Sequence, residues 1–150
     1  MTEVRFYHLM TKTVEEALPA ILSKALEQKR RAVIRLPDES AMKKLDEILW
    51  TYDPDSFLPH GMAKDDFAED QPVCLTVNDE NPNKADILIL TGGTKNADLA
   101  PYSLCCVMVD GRDEQSVAGS REDWKLYKNQ GLNLTYWQQN DKGGWEKKAA

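Results

Sequence analysis

Short blocks of consecutive apolar residues constrain this chain more than anything else in it. Ile87-Leu88-Ile89-Leu90 offers no polar position to turn toward water. A strand of this kind is stable only where both faces of its sheet are covered, as in a parallel sheet flanked by helices. Residues 30–36, with Ala32, Val33 and Ile34 at their centre and Pro37 as boundary, read the same way, and so do residues 73–77 and 104–110.

Between these blocks the period changes. Thr13 and Glu16 form a capping-box pattern, after which Val14, Ala17, Leu18, Ile21, Leu22, Ala25 and Leu26 recur at helical spacing. Pro19 removes a backbone donor from that pattern, so the helix either kinks there or begins later than Thr13. A second helix over residues 39–51, capped by Asp38, gathers Ala41, Leu45, Ile48 and Leu49 on one stripe, and a third is expected over 113–129 with Gly131 at its C-terminal cap. Residues 3–9 alternate as a strand with two differently buried faces. Residues 133–139 form a strand that turns through 140–144 into a short return strand around Trp145. Residues 52–71, carrying Asp53-Pro54 and Pro59-His60-Gly61, read as an ordered loop with short turns. Strands alternating with helices predict a three-layer α/β/α domain with a largely parallel sheet. One domain is expected over residues 1–150, closing in a hairpin or tail at about 133–150.

Composition narrows the function. At 150 residues, 41% apolar, the chain holds material for one core, and no stretch approaches the ~20 apolar residues of a membrane span. Residues 1–10 lack the basic start and apolar run of a secretion signal, so a cytoplasmic protein is expected. A formal net charge of -6 opposes a direct grip on phosphate backbones unless a local basic patch exists, so DNA is expected to be met only indirectly. Cys74, Cys105 and Cys106 sit in apolar runs without CxxC spacing or a histidine cluster and read as buried thiols. Side chains of adjacent strand residues point to opposite faces, so Cys105 and Cys106 do not share a metal, and none is assigned.

Catalytic patterns are weak. Gly92-Gly93 follows a strand, yet the surrounding residues fit neither GxGxxG nor the P-loop pattern, so a plain turn is expected and no cofactor is assigned. Asp110, at a strand end, occupies a position where α/β enzymes place an acid, and where a carboxylate more often caps the next helix. His8 and His60 join no HExxH or GxSxG motif. A small α/β enzyme or nucleotide-binding protein using Gly92, Gly93 and Asp110 is the alternative to a binding protein.

Three stretches, in order, resemble the chi subunit family (HolC) of bacterial DNA polymerase III. They are Val4-Arg5-Phe6-Tyr7-His8-Leu9; Leu45-Asp46-Glu47-Ile48-Leu49-Trp50 leading through Asp55-Ser56-Phe57-Leu58-Pro59-His60; and Trp124-Lys125-Leu126-Tyr127-Lys128 with Gly131-Leu132-Asn133-Leu134. The resemblance implies a non-enzymatic replisome accessory protein with a nucleotide-binding-like fold that lacks a phosphate loop. It implies binding of the acidic, Pro-Phe-ending C-terminal tail of single-stranded-DNA-binding protein, with a second surface for the psi subunit, which connects to the clamp loader. Carried over residue by residue, Arg121, Trp124 and Lys125 hold the tail, with Lys128 assisting, and Trp50 and Phe57 face psi or another partner such as a helicase. Helical spacing puts Arg121, Trp124 and Lys128 on one face with Lys125 beside it, cations around an apolar platform. Val117 stands where the family often has lysine. The family implies a heterodimer, and the chain has no heptads that argue for self-association.

Overall fold

The computed structural model describes residues 2–51, 59–66, 68–142 and 144–149. Among them the chain runs β1 (Glu3–Leu9), α1 (Val14–Glu27), β2 (Ala32–Arg35), α2 (Glu39–Thr51), β3 (Gly61–Met62), a 3-10 turn (Ala68–Asp70), β4 (Val73–Thr76), β5 (Ile87–Leu90), β6 (Leu104–Asp110), α3 (Glu114–Asn129), β7 (Asn133–Gln139) and β8 (Trp145–Ala149). The strands form one sheet in the order β3-β4-β2-β5-β6-β1-β7-β8. Every neighbouring pair is parallel except β7 with β8.

Over its central strands both faces of the sheet are covered, which is why these strands carry almost no polar residues. Leu18 and Leu22 of α1 and Leu45 and Leu49 of α2 close one core over Ile34, Leu75, Ile89, Cys106 and Met108. Tyr127 of α3, with Leu99 and Tyr102 of the β5–β6 connection, closes the other over Phe6, Val33, Leu88, Cys105 and Val107. Cys105 and Cys106 therefore face opposite cores. All three cysteines are free and buried. Burial pushes the Cys74 thiol up to about 11 and that of Cys106 up to about 12.

Helix ends follow their local chemistry. Thr13 caps α1 through a complete capping box, and the helix runs unbroken through buried Pro19, so it does not begin later than the box. Asp38 Oδ1 accepts the Ala41 amide at 2.8 Å at the start of α2. At the end of α3 the Gly131 amide bonds Lys128 O and the Leu132 amide bonds Tyr127 O, the paired bonds of a Schellman closure. The described part of the 52–71 segment departs from a plain loop. Gly61–Met62 pairs in parallel with β4, and the Ala63 amide reaches Leu75 O at 2.8 Å. Two residues are too few to show alternation, and the open edge of β4 orders them.

Candidate functional site

α3 positions the first set of predicted residues. Its buried stripe is Ser120, Asp123 and Tyr127. Buried Asp123 anchors the β5–β6 connection, with Lys95 Nζ 2.8 Å from its Oδ1. Arg121, Trp124 and Lys128 lie on one flank of that stripe, at about 100° of rotation per residue. Arg121 and Lys128 are exposed and Trp124 is half-buried. Lys125, two positions from both Asp123 and Tyr127, projects nearly opposite the buried stripe. Val117 packs against the core here, so its methyl groups extend the apolar floor.

The indole of Trp124 rests on aromatic residues that sequence reasoning did not place in the site. Phe6 lies 5.4 Å away edge-on and Tyr136 6.0 Å away edge-on, while Phe6 and Tyr136 stack at 6.0 Å. Such contacts fix ring orientation beyond what burial alone achieves. The Tyr136 hydroxyl meets His8 Nδ1 at 2.5 Å and also contacts Ser120. Burial holds His8 below its ordinary imidazole value, the Arg121 guanidinium pushes the same way, and Asp110 opposes. Burial raises the Tyr136 phenol, which keeps its proton and shares a hydrogen bond with the imidazole of His8. The result is an apolar floor with cations at its margin, suited to a ligand with negative charge and an aromatic tip.

The second predicted surface is built at the end of α2. Trp50 is 51% exposed. Its ring centroid lies 4.4 Å from that of His60, and His60 Nε2 sits 3.1 Å from Asp46 Oδ1. Asp46, Trp50 and His60, all members of one sequence signature, thus converge, with a buried imidazole as the support for an outward indole. Phe57 lies outside the described residues.

Gly92, Gly93 and Asp110 also come together, in a cavity of about 490 Å³ at the carboxyl ends of β2, β5 and β6. Each has a local explanation. A Cβ on Gly92 would lie 2.7 Å from Pro37 Cγ. Asp110 Oδ1 accepts the Arg112 amide at 3.0 Å and so closes a turn. Asp110 does not cap the following helix, because Asp113 does, accepting the Gln115 amide at 3.0 Å. The cavity wall carries Glu15, Asp110 and Asp113 and, among the described residues, no lysine or arginine that could pair with a phosphate. Among the described residues no group of three or more His, Cys, Asp or Glu side chains is arranged to hold a metal ion, and no helix is long and apolar enough to cross a membrane.

Comparison with known proteins adds the family. Residues 1–135 match the family model of the DNA polymerase III chi subunit, HolC. The chain belongs to this family. It is 29% identical over 94 residues to a probable DNA polymerase III subunit chi of Rickettsia prowazekii, covering 63% of this chain and 57% of that protein. It is 25% identical to the DNA polymerase III subunit chi of Pseudomonas aeruginosa, covering 89% of this chain and 94% of that one. Against the subunit of the same name in Escherichia coli it is 26% identical, covering 89% and 96%.

Proposed function

We propose that the protein is a non-catalytic accessory subunit of the DNA polymerase III assembly in DNA replication. In this role it docks the acidic, Phe-ending C-terminal tail of single-stranded-DNA-binding protein on the flank of α3, and a second protein, psi or another replisome partner such as a helicase, at Trp50. The observation that carries the reading is the exposed pair Arg121 and Lys128 beside half-buried Trp124, over the stacked rings of Phe6 and Tyr136. A terminal carboxylate pairs with Arg121, the tail's aromatic ring packs on Trp124, and Lys125 adds a screened attraction for the acidic residues before it. The family membership supports the replisome setting.

The test is fluorescence anisotropy with a labelled acidic peptide ending in Pro-Phe. Arg121→Glu is expected to weaken binding by at least the roughly 1.5 to 3 kcal/mol of a charge-assisted hydrogen bond, and Trp124→Ala by about 1 kcal/mol or more. Lys64→Glu, a charge change on an exposed residue of another segment, is expected to leave affinity near wild type. Equal affinity for wild type and folded Arg121→Glu would sink the assignment. At the second surface, Trp50→Ala is expected to cost about 2 kcal/mol in affinity for the psi subunit by calorimetry. Its thermal unfolding should change little, since Trp50 is already about half exposed to water.

A further inference from the structure

The face of the sheet that α1 occupies carries a second aromatic surface, on the side opposite α3. Strand register places Tyr7 of β1 beside Trp137 of β7, and Trp137 beside Lys147 of β8. Trp145, two residues before Lys147, points to the same side. Trp145 meets Tyr7 edge to face at 4.9 Å. Trp137 is half-buried and joins neither core, and its indole N–H donates to Thr135 Oγ1 at 3.0 Å, which fixes the ring. Arg5, Tyr7, Lys24 and Trp145 also line a cleft of about 410 Å³ between α1 and the sheet.

The charge around these rings is positive. Arg5 is balanced by Glu3 at 2.9 Å. Lys24 and Lys147 are exposed, and neither makes an ion pair among the described residues. Glu146 points to the other side of β8, where it pairs with Lys148 at 3.1 Å. The patch thus has a sign opposite to the net charge of -6 of the whole chain. Trp137, Trp145 and Lys147 all lie beyond residue 135, where the family match ends.

We propose that this face binds single-stranded nucleic acid. Trp137 and Trp145 stand on adjacent strands about 4.8 Å apart, with Tyr7 packed against Trp145 and the core beneath it and cations on either side. A row that repeats ring and charge across neighbouring strands fits a ligand that itself repeats base and phosphate. Unpaired bases stack on aromatic side chains without regard to sequence while lysine and arginine follow the backbone, whereas a duplex keeps its base faces hidden. A peptide with one aromatic tip would use only one of these rings.

The experiment is fluorescence anisotropy of the full chain with a labelled oligothymidylate of about 16 nucleotides at several low salt concentrations. Trp137→Ala is expected to weaken binding about ten-fold. The pair Lys24→Gln and Lys147→Gln is expected to flatten the plot of log K against log salt by about 1.4, two phosphate contacts' worth. Arg121→Glu should still bind the oligonucleotide, and Trp137→Ala should still bind the acidic peptide, so this site and the α3 site fail separately. Absence of binding by wild type, binding unchanged in all of the variants at this face, or loss of the acidic peptide but not of the oligonucleotide in Trp137→Ala would overturn the proposal.

Discussion

At His8 the two sides of the α3 site meet: its Nδ1 holds the Tyr136 hydroxyl, while the Arg121 guanidinium disfavours its charged form. Because the folded value lies below the ordinary one, the unfolded chain binds a proton that the native chain does not. Stability contributed by neutral His8 is therefore complete above about pH 6.5, and it declines as pH falls below that value. Urea midpoints measured from about pH 7.5 to about pH 5 should drop for wild type, and His8→Asn should flatten the slope. Parallel curves for the two proteins would show that His8 does not contribute. The family resemblance singles out Arg121, Trp124, Lys125 and Lys128, and helical spacing alone shows that Arg121, Trp124 and Lys128 share one flank within two turns. Phe6, His8 and Tyr136 were not legible in the sequence, since a pairing such as Phe6 with Tyr136 exists only through the sheet register. Asp46 and His60 escaped for a related reason: a signature shows that residues recur together, not that a carboxylate and an imidazole touch. Asp110 was read as a helix cap because strand-end carboxylates commonly are, and Asp113, nearer the first turn, took that role instead.

Among the elements, the turn after β6 controls the site most directly. A Cβ at Gly111 would collide with the Leu9 carbonyl oxygen and the His8 ring. The oxygen is backbone and cannot swing aside. Gly111→Ala is thus expected to cost about 3 kcal/mol in chemical denaturation, at the upper end for overpacking, and to weaken the acidic peptide by displacing His8 from Tyr136. Gly119→Ala is the matched control, because its Cβ would meet nothing within 4 Å. If both variants unfold at the same denaturant concentration, the steric argument fails. Element boundaries in the regular part of the chain were readable: β1, α2, β6 and β7 begin and end where their periodicity does. β3 was not, because an edge pairing of two residues takes its order from β4 rather than from its own side chains.

For the molecule as a whole, two cores back to back on one sheet account for the continuous apolar strands. The three-layer arrangement was legible because a strand without polar positions requires cover on both sides. The order of strands was not, since side-chain pattern records burial and leaves neighbour identity open. That order has a consequence for how the molecule is made. β1 leaves the ribosome before the other described strands, yet it lies between β6 and β7, with Glu3 aligned to Leu104 on one side and Asn133 on the other. β1 must wait for β6 before one flank is paired and for β7 before both are, and contacts so distant along the chain slow folding. A chain ending at residue 130 would lack β7 and expose the Phe6 edge, and it is expected to remain protease-sensitive and without a cooperative melting transition. Nascent chains should depend on holding factors until β7 has emerged, which ties the supply of this subunit to the cell's capacity to shelter unfinished protein.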